Sequence, residues 1–375
     1  MKLWTQPRQS KLRQALFQIH LWSGIAIGLY LIVICLTGSI LVYRYEIEHA
    51  IAPGLNQVRP APGKADLQAV YNELKERYPH LTFQQMAIPD SPDRAWFWRT
   101  RDKDNNRVYL YFHPNTGEII GAEEHKFLWM QWIYDLHVYL LLGKPGLIPN
   151  GIGGTLLFLL CVSGLVIWWP GIKNWRFGFR YATQAGWKRQ NYDLHKLTGI
   201  GSFLFLGLIA FSGVYYCFPV ESRAVIGWVS GHPMLVDPIM TGCPKPKQLA
   251  NLNDVYAEAE RALPGGRVWA LSIPQRPDSP FTYRKIYPGD WHRAGDHWVF
   301  LDAESGKFLK QENTSDFPWG TRFIKSMAPF HFGTWGGHGS RVLYILLGFT
   351  ASLLAISGYL MYWNRVLSKR WNKLQ

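Results

Sequence analysis

Four stretches of this chain, 21–43, 146–172, 197–220 and 342–364, contain no Asp, Glu, Lys or Arg. Each exceeds the ~20 residues a helix needs to cross a ~30 Å hydrocarbon layer. In lipid a segment has to satisfy its backbone polar groups internally, and a helix does so along its own length. The stretches therefore predict four transmembrane helices. A mean hydropathy of −0.09 means that much of the chain lies outside them. The first stretch follows Lys2, Arg8, Lys11 and Arg13, as a secretory signal would. Its apolar run outlasts a ~7–15-residue signal core and no small-residue cleavage site follows, so it reads as a retained anchor.

Charge orients the spans. Segments 1–19, 173–196 and 364–375 hold four, six and four Lys or Arg against one acid, Asp193, and so carry nearly all of the net charge of +14. This positive-inside pattern predicts a multi-pass protein with both termini and the middle loop in the cytoplasm. A chain this basic invites a nucleic-acid reading, but its cations flank the spans, and no nucleic-acid partner is expected.

The spans repeat. Residues 20–38, HLWSGIAIGLYLIVICLTG, recur without a gap as 195–213, HKLTGIGSFLFLGLIAFSG. His20 matches His195, Gly24 matches Gly199, and Thr37-Gly38 matches Ser212-Gly213 at an offset of 175. At an offset of 194, Asp135-Leu136-His137 matches Pro329-Phe330-His331, and Ser163-Gly164-Leu165 matches Ser357-Gly358-Tyr359. The segments between spans repeat too. In 46–145 a helical period over 66–78 precedes strand-like runs at 82–88, 95–99 and 107–113, with a turn at Asn115-Thr116-Gly117. In 221–330 a helix over 252–263 precedes strands at 268–274, 281–287 and 298–302, with Ser305-Gly306 at the turn. Two tandem copies of helix, small α+β outer domain, helix account for the whole chain.

The histidines carry the chemistry. His20 and His195 open outward-running spans at the cytoplasmic face, and His137 and His331 precede inward-running spans at the outer face. One histidine near a span is an ordinary interfacial polar group; four at repeat-matched positions are candidate ligands. Two neutral imidazoles facing each other across a helix bundle suit haem iron. Gly24 and Gly28 after His20, and Gly199 after His195, leave an apolar slot for a flat ligand, although small residues also serve helix packing. Zinc or copper would usually draw in a nearby carboxylate or thiolate. The expectation is two non-covalent b-type haems, one held by His20 and His195 and the other by His137 and His331, with Gly24 and Gly199 making room. No Cys-x-x-Cys-His occurs, which removes covalent haem. Cys35 and Cys161 lie within spans, and a bond between Cys217 and Cys243 is open.

The other histidines are weaker candidates. His338 and His49 are alternative outer ligands, while His80, His113, His125, His232, His292 and His297 belong to the outer domains, most of them expected in plain surface roles. Trp129, Trp132, Trp335 and Tyr139 flank the outer histidines and form a possible chelator platform, or an aromatic interface belt. Arg94, Arg99, Arg101 and Arg107 read as a solvated strand face. The Gly151-Ile152-Gly153-Gly154 run reads as helix packing, and the cytoplasmic pieces are too short for a nucleotide domain.

These features together, the H-x3-G-x12-[ST]-G helices, the Asp-Leu-His before the second span and the Ser-Gly-Leu-x-x-Trp-Trp-Pro at its end, resemble the PepSY-associated transmembrane proteins. Within that family the chain resembles bacterial inner-membrane siderophore-iron reductases of the ferrioxamine-uptake type. The resemblance implies a bacterial inner-membrane, haem-dependent oxidoreductase that reduces a periplasmic ferric siderophore, of hydroxamate type, and releases Fe(II). Electrons would come from a membrane quinol or a cytoplasmic donor. The implied layout is a cytoplasmic arm 1–19, spans 20–45, 146–172, 195–220 and 339–364, PepSY-like periplasmic domains 46–145 and 221–338, a cytoplasmic loop 173–194 and a tail 365–375. The second copy departs from the pattern where Pro329-Phe330 replaces Asp-Leu before the histidine. The rival readings are a membrane-anchored PepSY-type binding or regulatory protein without redox activity, and a transporter, which spans without internal charge disfavour.

Overall fold

A computed structural model describes the chain except residues 1–6, 52, 105, 125–127, 233–242, 244, 291 and 368–375. Two compact units emerge, one of residues 1–44, 129–225 and 327–375, the other of 45–128 and 226–326.

The first unit is a helix bundle. Its long helices are α1 (Lys11–Leu41), α4 (Leu147–Trp168), α5 (Trp187–Cys217) and α8 (Gly337–Tyr362), with the short α3 (Leu128–Tyr139) and α7 (Met327–Phe332) leading into α4 and α8. Four segments, Lys11–Leu41, Lys144–Trp168, Trp187–Cys217 and Gly337–Val366, are long and apolar enough to cross a membrane. Helices α1 and α5 begin eight or nine residues before their first histidine, because the basic residues ahead of His20 and His195 continue the helix. Helix α1 packs on α4 and α8, and α5 packs on the same two. Leu206, Tyr344, Leu347 and Ala351 form a buried cluster between them. Their outward faces stay apolar and exposed, with Leu29, Leu204, Leu346 and Phe349 each more than half exposed, as lipid-facing positions are.

The approaches to α4 and α8 turn sharply. After α3, Leu140 and Leu141 take φ of 52° and 61°, and after α7, Gly333 takes 67°. A methyl on Gly146 would lie 1.7 Å from the carbonyl oxygen of Tyr139, so only glycine fits there.

The second unit is one antiparallel sheet of eight strands in the order β4-β3-β2-β1-β5-β6-β7-β8. Strands β1 (Thr82–Ala87), β2 (Trp96–Arg101), β3 (Arg107–Phe112) and β4 (Ile119–Glu124) follow α2 (Leu67–Arg77). Strands β5 (Arg267–Ser272), β6 (Phe281–Ile286), β7 (His297–Leu301) and β8 (Phe308–Asn313) follow α6 (Leu252–Ala262). Expected as separate domains, the two segments share this sheet through β1 and β5, where Met86 pairs with Leu271 and Ala87 with Ala270. Alternating residues face α2 and α6: Trp98, Leu110, Phe112, Phe281, Tyr283 and Leu301 are fully buried.

The two helix starts cap each other. Asp66 caps its own α2 and also accepts from Asn253 Nδ2 at 2.7 Å. Asn253 Oδ1 accepts from Leu67 N at 2.8 Å, and Gln68 Oε1 accepts from Leu252 N at 2.9 Å. Orphan amides at each terminus thus find partners on the other helix. Lys285 is buried, yet its ammonium group donates to Glu260 and to the carbonyls of Leu263 and Gly265 at 2.7–2.8 Å. All three of its hydrogens are placed, which makes it a clamp on the end of α6.

Candidate functional site

The four repeat-matched histidines fall into two pairs within the helix bundle. The rings of His20 and His195 have centres 6.4 Å apart, and those of His137 and His331 6.2 Å. Two imidazoles bound to one metal at about 2 Å each have ring centres about 6 Å apart. Both pairs stand at that separation.

Each ring is gripped at Nδ1 by a hydroxyl from another helix. His20 bonds Ser163 at 3.0 Å, His195 bonds Ser357 at 2.8 Å, His137 bonds Thr37 at 3.1 Å and His331 bonds Ser212 at 3.1 Å. Each hydroxyl places its own hydrogen on a carbonyl in its own helix: Ser163 on Leu159, Ser357 on Leu354, Thr37 on Val33 and Ser212 on Leu208. Its oxygen is then left to accept, so Nδ1 carries the proton. The backbone agrees. His137 Nδ1 also lies 3.0 Å from the carbonyl oxygen of Ile34, an acceptor only. The matching carbonyls, three residues before the hydroxyl, are those of Leu160, Leu354 and Ile209 for the other rings. With Nδ1–H fixed, Nε2 keeps its lone pair, which is the form a metal-binding imidazole needs.

A glycine follows every one of these hydroxyls. A methyl at Gly38 would lie 2.9 Å from His137 Cε1, at Gly164 3.3 Å from His20, at Gly213 3.4 Å from His331 and at Gly358 3.6 Å from His195. The dipeptides Thr37-Gly38, Ser163-Gly164, Ser212-Gly213 and Ser357-Gly358 are therefore four equivalent cradles. Sequence reasoning saw them recur but gave them no role; their recurrence beside matched histidines was the available signal.

Gly24 and Gly199 behave differently from ordinary packing glycines. A methyl on either would meet only one leucine methyl, Leu160 or Leu354, at 3.8 Å. Nothing in the protein requires glycine there, and the missing side chains leave space one turn from His20 and His195. Gly28 is not part of that space: a methyl there would strike the Tyr359 ring at 2.6 Å, whose hydroxyl donates to the carbonyl of Ile25. Gly151 and Gly153 are seats for Phe218 and Tyr30, in line with a packing role.

The other candidate histidines stand elsewhere. His338 stacks on Tyr43 at 6.0 Å and bonds its hydroxyl at 3.3 Å. The side chain of His49 and the whole of His125 lie outside the described residues. Two histidines expected at the surface instead organise turns. His113 is buried, bonds the carbonyl of Arg59 and accepts from the amides of Asn115 and Thr116. His292 accepts from Ala294 N and from Arg284. Arg99 bonds Gln85 on the neighbouring strand, and Arg94 bonds the buried Asn56 outside the sheet. Trp129 and Trp132 are exposed, while Trp335 packs against the bundle's buried cluster. Beside His331 lie two further aromatics, Tyr216 at 5.3 Å and Phe332 at 5.7 Å. All four cysteines are free, Cys217 and Cys243 included. Among the described residues no cluster of three or more His, Cys, Asp or Glu could hold a bare metal ion.

Residues 17–365 match the family described as the PepSY-associated TM region. An uncharacterized protein of Pseudomonas aeruginosa is 24% identical over 257 residues, which is 62% of this chain and 63% of that relative's length. The chain thus spans less than two thirds of that relative. With the family match running from within the first membrane-crossing segment into the end of the last, the chain belongs to the PepSY-associated transmembrane family.

Proposed function

We propose that the protein is a di-haem reductase of the bacterial inner membrane, which passes electrons outward to reduce a ferric siderophore and release Fe(II). The observation that carries this reading is two pairs of imidazoles with ring centres 6.4 and 6.2 Å apart, each ring with Nδ1 bonded to a hydroxyl and Nε2 left free. His20 and His195 would hold one b-type haem, and His137 and His331 the other. The space at Gly24 and Gly199 suits the edge of a porphyrin. When bound, the haems supply one-electron transfer without proton chemistry, which agrees with the stretches 21–43, 146–172, 197–220 and 342–364 that hold no Asp, Glu, Lys or Arg.

The chain's own contribution is binding and orientation. The hydroxyl cradles fix ring tautomer and plane, and apolar helix faces keep water from the irons. In this reading the basic ends face the cytoplasm, the sheet unit is periplasmic, and the two halves are tandem copies. His20 and His195 then form the electron-receiving side, supplied by a quinol or a soluble cytoplasmic reductant. His137 and His331 form the donating side, where a hydroxamate-type ferric chelate is met. Purified protein in vesicles, reduced from the basic face, is expected to convert an external ferric hydroxamate to Fe(II) captured by a ferrous chelator. Equal iron reduction by the wild type and by His331→Ala would contradict the assignment.

A further inference from the structure

Asn150 lies in the first turn of α4, in a stretch without charge, and its amide is fully engaged. Nδ2 donates to the carbonyls of His137 and Val138, at 2.9 Å each. These belong to the last turn of α3, where a helix leaves its carbonyls without partners. Tyr30, from α1, donates to Asn150 Oδ1 at 2.6 Å and to its carbonyl at 3.1 Å. Tyr30 is itself seated on Gly153, where a methyl would strike its ring at 2.3 Å. Three helices are thus tied together at the backbone of one histidine. A polar network among apolar spans is costly unless every member is satisfied, and this one is.

The matched positions of the second half do the same work with other chemistry. At the offset of 194, Gly146 and Asn150 become Ser340 and Tyr344; at the offset of 175, Tyr30 becomes Phe205. Ser340 donates to the carbonyl of Gly333 at 2.7 Å, and the Tyr344 ring lies so close to Gly333 that a methyl there would meet it at 2.6 Å. Gly333 is the left-handed residue two positions after His331. One histidine turn is held by hydrogen bonds, and its counterpart by one hydroxyl and an aromatic wedge.

We infer that Asn150, locked by Tyr30, is a positioning residue that sets His137 for ligation, and that Ser340 and Tyr344 set His331. This rests on the di-haem reading above. Releasing the Asn150 clamp frees the end of α3, and His137 then leaves its ligand position part of the time. The haem of the second pair shifts toward a five-coordinate, high-spin state while the first pair is unaffected.

The test compares full-length wild type with Asn150→Asp, which keeps the acceptor for Tyr30 but removes both donors, and with Asn150→Ala and Tyr30→Phe. Expected are the loss of low-spin signal from one of two haems in Asn150→Asp and Asn150→Ala, and roughly tenfold faster loss of that haem to an apo-globin acceptor. Added imidazole should restore the low-spin signal. Tyr30→Phe, which leaves the amide in place, should shift the same haem less, and it keeps the question open to test if the Asn150 variants do not fold. Two fully low-spin haems with unchanged potentials in the folded variants would overturn this inference alone. A haem-free, folded wild type would overturn the di-haem reading itself.

Discussion

Ser163 and Gly164 act on His20 in different ways: the hydroxyl accepts from Nδ1, and the glycine lets the ring come close. Removing the hydroxyl leaves that N–H the carbonyl of Leu160 alone, a loss of one hydrogen bond worth about 0.5–1.5 kcal/mol. Ser163→Ala is expected to weaken retention of the first-pair haem by roughly tenfold or more, while Ser163→Thr keeps it; equal haem loss rates in all three proteins would remove the hydroxyl from the account. Gly24 and Gly28 make a sharper contrast. At Gly24 an added Cβ meets only Leu160, at 3.8 Å, so the folded Gly24→Leu variant should keep the second-pair haem and lose the first. Gly28→Ala collides with Tyr359 and should lower thermal stability instead. Haem stoichiometry and melting temperature measured on both variants separate the two effects. At this scale the sequence was half legible. The histidines and Gly24 could be read from spacing and the Ser/Thr-Gly dipeptides from their recurrence, but not which histidine each hydroxyl holds, because each lies on a different helix from its histidine, 100 to 162 residues away.

The elements carry their own balance of burial and charge. In the sheet unit, burial and the neighbouring Arg284 guanidinium push His292 down to about 4. An unfolded histidine protonates near 6.5, so between those values the unfolded chain binds more protons than the folded one. His292 therefore costs this unit no stability above about pH 6.5 and destabilises it progressively as pH falls from about 6.5 to about 4. His292→Asn, whose side-chain oxygen can replace Nδ1 as acceptor, should flatten that decline; denaturant midpoints at pH 7 and pH 5 give the check, and an unchanged slope would assign the acid sensitivity to other groups. Helix and strand positions here followed closely from periodicity and turn residues, since the inner strands bury alternate side chains under α2 or α6. His113 and His292 did not, because their turn-forming bonds depend on which chain segments fold back beside them.

At the scale of the whole molecule, the sequence shows two similar segments between the spans but not their union. The join between β1 and β5 is a short antiparallel pairing of residues 85–87 with 270–272, and nothing in either strand's alternation distinguishes a paired edge from a free one. Expressed alone, residues 45–128 would expose the open side of β1 with Met86 and Ala87, an edge suited to pairing with another chain. That fragment should associate or aggregate, whereas both segments together should remain one folded unit. Size-exclusion chromatography distinguishes the cases, and a stable monomeric fragment would contradict a shared sheet.

The central claim is that two opposed histidine pairs in the bundle each hold a haem. Its most direct test is a haem count and optical spectrum on purified full-length protein, alongside His20→Ala and His137→Ala. The account predicts two b-type, low-spin haems per chain in the wild type and one in each variant. A folded wild type without haem, or two unaltered haems in either variant, would contradict it.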